Sequence, residues 1–345
     1  VQNKLYPYFI IAGILLMILV LISINTGTYD FGQQSAFKIL WAMITQDSQL
    51  LKTDEYIIAQ VRLPRIIMSI LIGSMLAVSG TLLQGLFKNP LATGDLIGLT
   101  SGATLLAAVA IVLGKHFRAY IPDVLEYSIV GLFACVGALL AMWLVYKIST
   151  SAGKTHVVVM MLTGVAITAV GFAITGFLIY MAKDEELRDL TFWNLGSLAG
   201  ASWSKNAILS LLLIISYTKL LTRGKSLNAM MLGENDAYHL GINVEKLKKQ
   251  IVVITALMIG SCVAFSGTIG FVGLIVPYIL RSLFRSNYTF ILPLSAIFGG
   301  ILLLAADTLS RSVAAPSEIP IGILTALMGG PIFIVILMKY KKHLS

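Results

Sequence analysis

Charge is what this sequence has least of. Asp, Glu, Lys and Arg together make up 12% of 345 residues, about half the roughly 25% usual in a globular domain. A surface wetted on all sides cannot be built from so little, and a soluble fold is excluded. Cysteine is nearly missing too. Cys135 and Cys262 both lie inside apolar runs, which argues against a disulfide framework or a metal pair and for reduced, small packing residues. There are four histidines and no His-Glu-x-x-His spacing, and no nucleophile stands with partners at reading distance. No catalytic residue and no metal ligand is assigned, and an intramembrane enzyme or receptor is disfavoured. The Gly-x4-Gly-Lys-Ser/Thr phosphate loop is also missing, so the chain is not expected to hydrolyse ATP itself. Carboxylates are scarce within the apolar runs: Asp95 and Asp307 stand only near their ends. Ion-coupled carriers keep intramembrane carboxylates, which makes an ion-coupled secondary transporter the weaker rival.

What is present is apolar length. The composition is 57% apolar, with a mean hydropathy of +0.89, and charge-free runs recur along nearly the whole chain. About 20 apolar residues cross a bilayer as a helix. The runs predict an all-α polytopic membrane protein, a single domain over 1–345 with about ten transmembrane helices. They fall near 8–25, 62–82, 94–113, 127–147, 157–181, 206–222, 250–267, 270–285, 290–306 and 320–340. The first is too long for a signal-peptide core and no A-x-A-like site follows it, so it is expected as a retained span.

The positive charge orients the chain. With both termini inside, the inner segments hold 15 of 25 Lys and Arg, and the outer segments hold 10 together with 12 of 16 acids. The basic excess agrees with cytoplasmic termini. The +9 net charge is therefore a topology signal, and nucleic acid is not an expected partner.

One stretch, "SGTIGFVGLIVPYILR" (266–281), is an apolar run broken by three glycines and Pro277. Its beginning has a counterpart: "IGSMLAVSGT" (72–81) and "IGSCVAFSGT" (259–268) agree at seven of ten positions, 187 residues apart, and Pro90 and Pro277 keep the register. The copies fall five spans apart and must run in opposite directions. That predicts inverted repeats, about 55–200 and 245–340, as in many transporters. Gly73, Ser74, Gly80, Gly260, Ser261 and Gly267 are then expected where helices approach closely.

Further motifs occupy the connections: "VRLPR" (61–65), "QGLFKNPLA" (84–92), "TFWNLGSLAG" (191–200), "MLGENDAYHLGI" (231–242), "AADTLSR" (305–311), "SEIPIG" (317–322) and "GGPIF" (329–333). As a set, in order over roughly 55–340, they resemble the FecCD-type permeases of bacterial ABC importers for ferric siderophores, haem and cobalamin. The resemblance implies a type II ABC importer permease in the bacterial cytoplasmic (inner) membrane. It would be one of two copies, driven by a cytoplasmic ATPase dimer and supplied by a periplasmic or lipid-anchored binding protein. No cofactor is then expected on this chain; ATP and Mg would be bound by the partner ATPase.

The same resemblance implies residue roles. Arg62, Arg65 and Arg311 match an outer rim that accepts acidic side chains of the binding protein. Read from the residues alone, they could equally snorkel to headgroups, or Arg311 could pair with Asp307 at i,i+4. Pro64 suits the first turn of a helix, which would set Arg62 and Arg65 beside a helix N-terminus. Asn89 and Leu91 match a cytoplasmic gate, although Asn before Pro is also a turn former. The family's second proline is absent, with Gly94 and Asp95 following Thr93. The loop of about 223–248 matches the ATPase coupling element, with Gly233, Ala237, Leu240 and Gly241 on its pattern and Asp236 among them. Tyr278 stands where the family usually has His, and no role is given to it. The loop "DEELRDLTFWNLGSLAGASW" (184–203) looks most like the haem-importing branch, which implies haem first, a ferric siderophore second and cobalamin third. His116 and Met181 lie near the outer face with no assigned role; His156, His239 and His343 read as ordinary inner residues.

Overall fold

In lipid every backbone N–H and C=O must be paired within the protein, which leaves an apolar chain little choice but helix. The structure, a computed structural model, describes residues 6–29, 31, 35–45, 52–114, 128–221, 223–284 and 287–342. His116 and His343 fall outside them. The helices in chain order are α1 (Tyr6–Asn25), α2 (Ala36–Thr45), α3 (Lys52–Tyr56), α4 (Leu63–Leu86), α5 (Leu99–Val112), α6 (Ile129–Ser149), α7 (Val157–Met181) and α8 (Asp184–Leu195). There follow α9 (Trp203–Leu221), α10 (Gly224–Leu232), α11 (Glu234–His239), α12 (Val244–Ser266), α13 (Val272–Phe284), α14 (Tyr288–Val313) and α15 (Ile321–Lys342). A two-residue-per-strand hairpin, β1 (Thr150–Ser151) with β2 (Lys154–Thr155), joins α6 to α7.

Among the described residues six helices are long and apolar enough to cross a membrane, and α9 with α10 forms a bent seventh. The other three expected spans are the shorter apolar helices α5, α13 and α15. With 14 and 13 residues, α5 and α13 reach only about 20 Å at 1.5 Å per residue, against a hydrocarbon core of about 30 Å. Each is preceded by a non-α segment, 87–98 and 267–271 respectively.

The helix α4 is the axis of the fold. Twenty of its residues are buried, with α9, α10, α12, α13 and α14 packed around it. Its glycines explain the closeness. A Cβ on Gly73 would overlap the carbonyl oxygen of Gly299 on α14, and one on Gly80 would overlap that of Gly273 on α13. By contrast α1 and α7 leave Ile10, Ile14, Met17, Leu162, Phe172 and Phe177 exposed, a surface that suits lipid.

Two sets of contacts define opposite ends of the bundle. At one end Trp203 Nε1 donates to the Ala59 carbonyl (2.9 Å), Ser197 N–H donates to the Ser266 carbonyl (2.8 Å) and Ile321 N–H to the Gly196 carbonyl (3.3 Å). At the other, Arg281 donates to Gln84, Asn228 to Asn287, and Tyr8 packs edge-on to Phe284. Helix α4 leaves the first end and α12 arrives there, so the two repeated decapeptides run in opposite directions. The first copy stays helical through Gly80, whereas the second breaks at Gly267, which has φ +68° and stands against the Trp193 carbonyl. Ser261, one of the six expected contact residues, is buried, with its hydroxyl donating to the Leu257 carbonyl on its own helix.

Two expectations about helix ends change. The basic stretch 244–248 is the first turn of α12, because Asn243 caps it by accepting from Lys246 N–H (2.9 Å) and Val244 and Leu247 are buried. Pro64 does not open a helix: α3, a π turn at Ile57–Arg62 and α4 form one continuous stretch, Lys52–Leu86. Pro64 has no N–H to give back along the helix, and the Ala59 carbonyl takes the Trp203 indole N–H instead. Arg62 and Arg65 therefore lie well inside a helical stretch, and an argument from a helix N-terminus does not apply to them.

Candidate functional sites at the two ends of the bundle

The arginine end is built by α1, α4 and α14. Arg65 and Arg311 both turn to Asp307, which is fully buried: Arg65 Nε and Nη2 each reach Oδ1 at 2.9 Å, and Arg311 Nε faces Oδ2 at 3.2 Å. Arg65 Nη1 also donates to Glu318 (2.8 Å), and Arg311 donates to the Thr26 carbonyl (2.9 Å) and Ser23 Oγ (2.7 Å). Arg62 donates to the Ile24 and Tyr29 carbonyls, both at 2.6 Å, with the Phe31 ring 4.3 Å from its guanidinium. The Arg311–Asp307 pair anticipated from the i,i+4 spacing is present. A charge-assisted cluster thus ties the end of α1 and the following loop to α4 and α14. In that loop Tyr29 OH donates to Asp54 (2.9 Å), and the bond to this carboxylate holds the phenol above its ordinary pKa.

All three arginines are buried, at 4–7% exposure, so none projects as a free cation. They nevertheless line one pocket of about 160 Å³, with Gly27, Thr28, Tyr29 and Glu318 at its walls. Glu318, inside the "SEIPIG" motif, was not singled out by the sequence, and no local pattern marks it as a partner of Arg65, 253 residues away.

At the opposite end Asn89 forms a turn: its Oδ1 accepts from Leu91 N–H (2.9 Å) and its carbonyl from Ala92 N–H (3.2 Å). Lys88 beside it has φ +49°. Arg281, at the end of α13, donates to Gln84 and lies 3.4 Å from the Pro90 carbonyl. The end of α13 therefore meets the turn that follows α4. Asn89 and Leu91 are half-buried.

The 223–243 region carries two short helices, α10 and α11. Gly224 packs on Thr289, and Asn228 clasps Asn287 and the Tyr288 N–H. Gly233 separates the helices, Asp236 is exposed in the first turn of α11, and Ala237 is fully buried. Gly241, at φ +80°, closes α11, with Ile242 N–H donating back to the Ala237 carbonyl (3.0 Å), as in a Schellman end. Leu232, Tyr238 and Leu240 are 65–73% exposed. Three large apolar side chains thus lie exposed together in this short-helix region, more than scattered surface residues would need to explain.

These features define a class: a polytopic helical membrane protein with oppositely directed repeats, a buried arginine cluster at one end and an exposed apolar patch at the other. The model of the FecCD transport family matches residues 15–339, and the chain belongs to that family. Over 346 residues it is 37% identical to the hemin transport system permease protein HmuU of Yersinia pestis, covering 100% of this chain and 98% of that one. It is 36% identical to the cobalamin import system permease protein BtuC of Halobacterium salinarum over 83% of this chain and 74% of that one. A solved inward-facing conformation of a metal-chelate type ABC transporter superposes with a TM-score of 0.82 at 29% identity, covering 98% and 100% of the two chains. The chain is thus the permease of a type II ABC importer.

Proposed function

We propose that this permease carries haem across the bacterial cytoplasmic membrane. The observation that supports the cargo is the 37% identity to a hemin permease along the whole of this chain. The outer loop 184–203 points the same way. It forms α8 and the segment after it, where Thr268 Oγ1 donates to the Asn194 carbonyl (2.5 Å). This loop covers the break between α12 and α13. A ferric siderophore and cobalamin remain the second and third cargoes, and the similarity to a cobalamin permease supports keeping the latter.

In this reading a cytoplasmic ATPase dimer binds and hydrolyses ATP with Mg, and each ATPase docks on Leu232, Tyr238 and Leu240 of the α10–α11 unit. A periplasmic or lipid-anchored binding protein delivers the cargo to the end of the arginine cluster, and two permease copies enclose the pathway with both termini in the cytoplasm. Because the guanidinium groups are committed to partners within the chain, they act as the walls of the 160 Å³ pocket, receiving one acidic side chain there. The turn at Asn89 and Leu91 closes the inner end of the path, braced by Arg281 from α13. Reconstitution with the ATPase and the binding protein, followed by ATP-dependent uptake of haem against ferric siderophore and cobalamin, tests the assignment.

A further inference from the structure

The lysines at the start of α12 all obey the charge rule for an inner face, yet one is unlike the others. Lys246 and Lys249 are exposed; Lys248 is 1% exposed. An ammonium has three N–H groups, and the three contacts of Lys248 Nζ are drawn from three elements. It donates to Glu234 Oε2 at the head of α11 (2.8 Å), to Glu245 Oε1 in the first turn of α12 (3.1 Å) and to the Thr155 carbonyl in β2 (2.9 Å). Glu245 completes the circuit, its Oε2 accepting from Thr155 N–H (2.9 Å). Taking an ammonium out of water costs several kcal/mol before partners offset it, and orientation in the membrane needs only a lysine that stays exposed. The burial therefore asks for another reason.

We propose that Lys248 is a positioning residue that makes the docking helix α11, the start of α12 and the α6–α7 hairpin move as one body during transport. The proposal rests on the reading that α10 and α11 dock the ATPase. A two-stranded hairpin this short does not hold its own place; the node fixes it by both the N–H and the C=O of Thr155. The hairpin leads through His156 into α7, so a displacement imposed on Glu234 reaches the inner end of a long span. Glu234 and Glu245 keep 46% and 35% side-chain exposure, so water can take over both carboxylates when the lysine is removed. Lys248→Met then fills the same space without stranding a buried charge, and it should fold.

The test uses the complete complex of permease, ATPase and binding protein in nanodiscs and proteoliposomes, with spin labels at Asn235 and Ser151. In the wild type the separation of the two labels stays constant between nucleotide-free and ATP-bound states. In Lys248→Met the ATPase still copurifies and hydrolyses ATP, the label separation changes with nucleotide, and cargo moved per ATP falls about tenfold, within the usual range of coupling between sites. Lys248→Arg, which can reach the same acceptors, restores most of the coupling. Unchanged transport stoichiometry with constant separation in Lys248→Met overturns the proposal. So does loss of ATPase copurification in that variant, because the node would then build the docking surface without transmitting its motion. Retention of the ATPase by Leu240→Asp would instead remove the docking reading, and this proposal with it.

Discussion

Arg65 Nε lies 2.9 Å from Oδ1 of Asp307, a residue 242 positions away on a helix that runs antiparallel to its own. The pairing fixes the relative depth of α4 and α14, because the same two helices meet again at Gly73 and Gly299 and at Thr81 and Ser295. One buried carboxylate serves two guanidinium groups, so this end of the bundle depends on Asp307 more than on any one arginine.

Replacing Asp307 by Asn leaves Arg65 with Glu318 alone and Arg311 with neutral acceptors. Breaking a buried pair from one side costs about 3–5 kcal/mol. Asp307→Asn should lower the thermal midpoint of the purified permease markedly, while Glu318→Gln, at a half-exposed partner, should cost no more than about 1 kcal/mol of stability and move the midpoint little.

Gly73→Ala should destabilise by about 1–3 kcal/mol, the usual cost of overfilling a packed contact, because the added methyl meets the Gly299 backbone. Gly13→Ala is the control: nothing lies within 4 Å of a Cβ there. It should be neutral or slightly stabilising, since Ala is the better helix residue. Denaturation in the same detergent compares the two.

Leu240→Asp places a charge at the apolar tip of the docking surface. A central apolar anchor is worth at least about 2 kcal/mol, roughly thirtyfold in affinity. Copurification of the ATPase should fall accordingly, with no change in the thermal stability of the permease alone.

A test of the arginine-lined pocket has to avoid the arginines, whose loss would damage the fold. Thr28 lines the pocket and is exposed. Thr28→Glu should repel an incoming acidic side chain, slow association of the binding protein and reduce the salt dependence of that step, with ATPase binding unaltered. Association rates measured at two ionic strengths decide it.

How much of this was written in the sequence differs from element to element. The apolar runs placed the helices but not all their ends, since the stretch through α4 starts at Lys52 and α14 runs on to Val313, and the repeat of "IGSMLAVSGT" with "IGSCVAFSGT" gave their opposed directions. Within the repeated decapeptides nothing shows that the two copies end differently, since Gly80 and Gly267 have nearly identical neighbours there; Gly80 stays helical while Gly267 takes φ +68° against the Trp193 carbonyl. The arginines were visible as motif residues, but their burial was not. It depends on Ser23 and Ile24 in the first span and Thr26 just after it, which no local pattern links to Arg62 or Arg311. Lys248 had one legible clue, Glu245 three residues before it, and that clue describes a surface pair as readily as a buried node. Long-range partners are decided by how helices stack, and stacking leaves little trace in local spacing.

The most direct measurement is transport itself. The permease, its ATPase and its binding protein are placed in proteoliposomes with haem, a ferric siderophore or cobalamin presented on the binding-protein side. Haem accumulation that requires hydrolysable ATP, needs the binding protein and exceeds uptake of the other two cargoes is the result expected. Uptake driven by an ion gradient without ATP would contradict the account, and ATP-driven uptake of another cargo with none of haem would contradict its choice of substrate.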